Sequence, residues 1–155
     1  MGHRCLHEPD QKILVAGDHI LIDITPNIQC WSDSENPLKN YLESLDKVNR
    51  LDIELTLPGH RRLITDPAER IMQLKEHHSR RLKEVVAILS NEPQHAFQVA
   101  SQMSWDLRAS SWDDFPRAQK WFATGEALAH LRFLEAEGTV FRSSNNNVAV
   151  FATRA

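Results

Sequence analysis

The chain has 155 residues, 41% of them hydrophobic and 25% charged, with a formal net charge of −3. That composition is ordinary for a soluble globular protein of one domain or two small ones. The charge gives no global field favouring nucleic acid or an anionic membrane, and no apolar run approaches the ~20 residues of a membrane span. Cys5 and Cys30 stand alone without metal-type spacing, and the polar N-terminus lacks a signal-peptide core. Free thiols in a reducing cytoplasm are therefore the expectation.

Taken in order, Cys5-Leu6 reads as the end of a strand, and Glu8-Pro9-Asp10-Gln11 as a hairpin turn. The turn feeds Ile13-Leu14-Val15-Ala16, a short apolar run that reads as a buried strand. Gly17 turns the backbone and leaves Asp18 at the strand's mouth, while His19 reads as a loop residue. Ile20, Leu21, Ile22 and Ile24 form an apolar run stopped by Thr25-Pro26. Gln29 to Glu35 is a polar loop in which Trp31 more often packs than lines a cleft. Asn36 caps a helix that starts at Pro37, carries Leu38, Tyr41, Leu42, Leu45 and Val48 on one face, and ends near Asn49. Tyr41 reads as a core tyrosine. Ile53, Leu55 and Leu57 alternate with Glu54 and Thr56, predicting a strand with the aliphatic side chains inward. Pro58 ends its ladder, Gly59 turns, and His60 stands at the strand end.

A second helix opens with Asp66 as cap, Pro67 next and Glu69 at the capping-box position. Its apolar stripe is Ile71, Leu74, His78, Leu82, Val85 and Leu89. Glu76, Arg80, Arg81, Lys83 and Glu84 read as its solvated face. His77 and His78 are adjacent and face different ways, so they do not share one ion, and His78 reads as an interior histidine. Ser90-Asn91-Glu92-Pro93 breaks the helix. A short helix over residues 95–103 turns Phe97, Val99, Ala100 and Met103 inward. After a connector from Trp105 to Pro116 comes a long helix, Pro116 to Glu137, with Trp121, Phe122, Leu128, Leu131 and Leu134 as its apolar side. Gly138 terminates it, and residues 139–142 and 148–151 read as a hairpin.

Asp18 and His60 share one setting: an apolar run, a glycine, then one side chain able to bind zinc. Alone, each is better read as a solvated loop residue. Together, with Gly17-Asp18-His19 leading to Thr25-Pro26, then Asn36-Pro37-Leu38, then Pro58-Gly59-His60, they resemble the C-terminal half of a metallo-β-lactamase-fold hydrolase of the glyoxalase II-like branch. The resemblance implies an α+β fold, with part of an αββα sandwich over residues 1–74 and a winged-helix domain over residues 75–155. It implies that Asp18 bridges two metal ions, commonly zinc, and that His60 is the last histidine ligand. It implies hydrolysis of an ester, thioester or lactone by a metal-activated water. The family's H-x-H-x-D-H run is absent from this sequence. Gly2-His3 looks like a pair that follows a further histidine ligand, which would fall before Met1, so His3 is not carried over.

Two ligands build no catalytic zinc site, so the isolated chain is expected to be catalytically silent. The favoured explanation is the C-terminal part of a longer hydrolase. The others are a folded non-catalytic remnant and a chain that completes its site with a partner chain. The competing class is a non-enzymatic interaction module. Exposed strand edges and one apolar sheet face predict self-association. DNA binding through the winged helix is disfavoured. Arg117, Lys120, His130 and Arg132 are offset by Glu126, Glu135 and Glu137, which is a poor footprint for phosphates. A structural role for that module is the expectation.

Overall fold

The computed structural model describes residues 4–32, 34–90, 92–106, 109–146 and 148–154; the Gly2-His3 pair lies outside them. The N-terminal hairpin forms slightly later than the sequence suggests. Strand β1 covers Leu6–Glu8, and β2 covers Ile13–Gly17 antiparallel to it. Strand β3, Leu55–Pro58, lies parallel on the other side of β2, giving the order β1-β2-β3. The connection between the two parallel strands carries helix α1, Pro37–Val48, as parallel neighbours require a long crossover.

Both strands face differently from the expectation. Leu14 and Ala16 are buried, but Val15 is 42% exposed, so β2 has one inner face rather than two. In β3 the fully buried side chain is Thr56, while Leu55 and Leu57 are half-buried. The register explains both. Leu14 pairs with Thr56 and Val15 with Leu57, so each pair shares a face. Leu6, opposite Val15, extends the outer row and is 70% exposed. Alternation tells which residues share a face, and tertiary packing decides which face turns inward.

The chain divides into two compact units, one from Met1–Pro26 and Tyr41–His78, the other from Asn27–Asn40 and Ser79–Ala155. In the first, Leu14, Ala16, Ile20, Leu45, Ile64, Ile71 and Leu74 are buried together with His19 and His78. The caps are as expected. Asn36 Oδ1 accepts the Lys39 N–H at 3.1 Å at the start of α1, and Asp66 Oδ1 accepts the Glu69 N–H at 2.9 Å at the start of α2, Pro67–Leu89.

The second unit contains α3 (Ala96–Gln102), α4 (Arg117–Ala136) and a hairpin of β4 (Val140–Asn145) and β5 (Val148–Thr153). This is the expected order of short helix, long helix and hairpin. Helix α3 starts one residue later than read, because His95 is its cap: Nδ1 accepts the Gln98 N–H, and the Gln98 side chain accepts the His95 N–H. Val85, Leu89, Val99, Ala100, Leu131, Val140 and Phe151 form its core. Trp121, Phe122 and Phe97, expected inward, are 51%, 39% and 45% exposed. The inner face of α4 is instead lined by Ala123, Ala127, Ala129, Leu131 and Leu134, with Glu126 and His130. Small alanines suit close packing of neighbouring backbones, and Trp121 rests on Trp31 and Phe122 at the surface.

Arg81 is a second reversal. Expected on a solvated face, it is buried. Its guanidinium lies 4.3 Å from the Trp105 ring centroid, donates to Glu84 and the Ser104 carbonyl, and stands 3.7 Å from Glu126.

Gly138 ends α4 at φ +75°, with its N–H on the Glu135 carbonyl and the Thr139 N–H on the Leu134 carbonyl. This paired closure uses a left-handed residue. Gly138→Ala meets no steric obstacle, so its cost is conformational alone. We expect a loss of about 1 kcal/mol, read as a shift in the urea midpoint at unchanged slope.

Candidate metal centre

The centre is built where the two parallel strands end side by side. A bulge between Val15 and Gly17 brings Gly17 opposite Pro58. Gly17 adopts φ +52°, in the left-handed region that favours glycine. The turn is closed by the His19 N–H on the Ala16 carbonyl at 3.0 Å, and Asp18 sits at its corner. The Gly59 N–H donates to the Gly17 carbonyl at 2.7 Å, tying the second strand end to the first. The return of the loop after β3 is fixed by Thr56 and Ile64, which exchange both backbone hydrogen bonds.

These constraints place His60 Nε2 3.5 Å from Asp18 Oδ1. The side chains remain 65% and 55% exposed, so both donor groups are accessible. Gly59 makes the approach possible. A Cβ there would lie 2.6 Å from Asp18 Oδ1 and 3.2 Å from the Gly17 carbonyl carbon.

The loop after Asp18 is held by two arginines to which the sequence pattern gives no role. Arg62 grips Asp23 with Nε and a terminal nitrogen at 3.1 and 2.9 Å. This contact holds the Asp23 carboxyl below its usual pKa. Arg70 donates to the carbonyls of Leu21 and Ile24 at 2.6 and 2.8 Å.

His19, read as a loop residue, is 8% exposed. Its Nε2 is 3.2 Å from Ser44 Oγ, its carbonyl accepts the Tyr41 hydroxyl at 3.1 Å, and its ring meets Tyr41 edge-on. Tyr41 is the core residue expected; its burial raises the phenol pKa. His78 is buried as expected, edge-on to Tyr41. The signal that could have found His19 was the spacing of Tyr41 and Ser44, three apart on one helix face.

The geometry suits one metal ion. Two donors about 2.0–2.1 Å from a tetrahedral zinc stand about 3.4 Å apart, close to the 3.5 Å between Asp18 and His60. Among the described residues, no group of three or more His, Cys, Asp or Glu side chains is placed to hold an ion. The pair therefore fits as part of a donor set.

Fold and site together define a mixed α+β protein with a carboxylate–imidazole pair at adjoining parallel strand ends. Residues 82–154 match the family described as Metallo-beta-lactamase-like, C-terminal domain. The chain is 28% identical over 155 residues to the probable metallo-hydrolase YqjP of Bacillus subtilis (strain 168), covering 95% of this chain and 45% of that protein. It superposes on a beta-lactamase domain protein from Burkholderia ambifaria with a TM-score of 0.85 at 32% identity, covering 97% of this chain and 44% of that one. It superposes on the metallo-beta-lactamase family protein TTHA1429 from Thermus thermophilus with a TM-score of 0.80 at 32% identity, covering 99% and 46%. The chain thus spans less than half the length of these relatives. The similarities support a metallo-β-lactamase-like fold. Among the described residues, no helix is long and apolar enough to cross a membrane.

Proposed function

We propose that this chain supplies one side of a zinc-dependent hydrolytic centre, with Asp18 and His60 as two of its metal ligands, and that it acts as part of a larger functional unit. The observation that carries the reading is the 3.5 Å approach of Asp18 Oδ1 to His60 Nε2 at strand ends tied together through Gly59 and Gly17. Bound metal supplies Lewis acidity that polarises a carbonyl and activates water. Asp18 would offer a carboxylate oxygen and His60 an imidazole nitrogen to hold the metal. A catalytic zinc site takes three protein ligands and an open position, so the full unit contains donors beyond these two. The relatives' greater length supports this. So does the outer row of Leu6, Val15 and Leu57 on the sheet, an apolar surface suited to a covering layer. The substrate class is an ester, thioester or lactone. Residues 75–155 form a winged helix with a structural role. Two of its expected surface charges, Glu126 and His130, are buried, and Arg132 and Arg142 both pair with Glu135.

The test is calorimetric titration of the chain with Zn²⁺. Asp18→Asn and His60→Ala are each expected to weaken binding by more than the about 10–100-fold that loss of a supporting group costs. Unchanged affinity in both variants overturns the ligand assignment. Ester hydrolysis by the zinc-loaded chain alone, abolished in Asp18→Asn, would overturn the larger-unit reading.

A further inference from the structure

Asp18 lies between two anchored neighbours. On one side, Gly17 is tied to Gly59 through its carbonyl. On the other, His19 is gripped twice by α1, its imidazole by Ser44 and its carbonyl by the Tyr41 hydroxyl. Ser44 and Tyr41 are three residues apart, so both project from one face of the same helix. Tyr41 is itself wedged between the rings of His19 and His78, with centroids 5.3 and 5.5 Å away and both contacts edge-on. The His19 ring is buried while the Asp18 carboxylate beside it is exposed. His19 thus faces away from the donor pair and into the helix.

Burying a histidine in this way has an energetic cost unless its polar atoms find partners, and here a hydroxyl meets the ring. We infer that His19 is a positioning residue for Asp18. Ser44 and Tyr41 clamp it, and the clamp fixes the backbone from which the Asp18 carboxylate reaches toward the ion it shares with His60. The inference rests on the ligand reading proposed above. The orientation of Asp18 is set from α1 as well as from the sheet, and Ser44 and Tyr41 serve the centre without touching it. Supporting groups that orient ligands commonly contribute about 10–100-fold to metal affinity.

The experiment titrates the folded chain with Zn²⁺ alone and follows the His60 imidazole and Asp18 carboxyl resonances by NMR. Wild type is compared with Ser44→Ala, Ser44→Thr, Tyr41→Phe and His19→Ala, and with Asp18→Asn as control. Ser44→Ala and Tyr41→Phe are expected to keep the wild-type amide spectrum away from residues 17–20. They should weaken Zn²⁺ binding about tenfold and shift the zinc-bound Asp18 carboxyl signal, and Ser44→Thr should restore both. If His19→Ala loses the fold, the two hydroxyl variants carry the test, since each removes a single oxygen. Affinity within twofold of wild type and an unmoved Asp18 signal in both hydroxyl variants overturns the positioning role. Zinc binding unaffected by Asp18→Asn overturns the ligand reading beneath it, a result distinct from the first.

Discussion

Gly59→Ala is expected to abolish most zinc binding while leaving the protein folded. The added methyl group would sit 2.6 Å from Asp18 Oδ1, well inside contact distance, and 3.2 Å from the carbonyl carbon of Gly17. The carboxylate is the softer of the two obstacles, because it ends a side chain that is 55% exposed and can rotate into solvent. Rotation relieves the clash but removes the oxygen from its place beside His60. Residual pressure on Gly17 falls on backbone that is held by the Gly59 N–H hydrogen bond. We therefore expect a loss of zinc affinity of about tenfold or more and a stability cost of about 1–3 kcal/mol, the usual range for overpacking. Zinc titration and urea unfolding read the two effects separately. Affinity within twofold of wild type would show that Asp18 does not need its present orientation.

The largest stability effect is expected at Arg81. Its side chain is 8% exposed and that of Glu126 is 10% exposed, with 3.7 Å between Nε and Oε1. Removing one member of a buried pair leaves the other charge without compensation, typically at about 3–5 kcal/mol. Arg81→Met is expected to cost about 3 kcal/mol, the lower end of that range. Glu84 is only partly buried and keeps its hydrogen bonds from the Ser104 N–H and hydroxyl, so losing its Arg81 contact costs little. The double variant Arg81→Met/Glu126→Leu should recover much of the loss, giving a clear coupling in a double-mutant cycle. Additive effects would show that the pair contributes nothing as a pair.

The same pair carries a pH dependence. Burial raises the Glu126 pKa from its ordinary 4.5, and Arg81 partly opposes the rise. Between 4.5 and the raised folded value, the folded state holds a proton that the unfolded chain has released. The Glu126 contribution to stability is therefore full below the unfolded pKa and falls as pH rises through the folded one. Glu126→Gln should remove that slope. Arg81→Met should extend it to higher pH, because the cation that lowers the carboxyl's pKa is gone. Urea midpoints measured across the acid range check both signs.

Sequence periodicity was a good guide where local chemistry decides. The caps at Asn36 and Asp66, the stop at Gly138 and the hairpin of β4 and β5 depend on a few neighbouring residues, and each formed where those residues stand. It failed where a long side chain could go either way. Trp121 and Phe122 look like core and lie at the surface, because alanines let α4 pack closely on its other side. Arg81 looks like surface and lies inside, because Glu126 and Trp105, distant in sequence, are there to receive it. Thr56, rather than its aliphatic neighbours Leu55 and Leu57, faces inward because β3 takes its facing from β2.

For the centre the division is similar. The order of residues was enough to name the candidate donors, since a glycine followed by Asp18 and a Pro-Gly turn followed by His60 each end an apolar run. It was also enough to place a turn at Gly17, a position where other residues are strained. It took the folded chain to show that the two strands run parallel and adjacent, which puts both ends at one edge and the two donors 3.5 Å apart. The burial of His19 beneath Asp18, on Ser44 and Tyr41, likewise emerged with the fold. The reason is physical: residue type and turn chemistry act over a few positions, whereas the meeting of Asp18 with His60, 42 positions apart in the chain, depends on strand pairing and burial that no local pattern encodes.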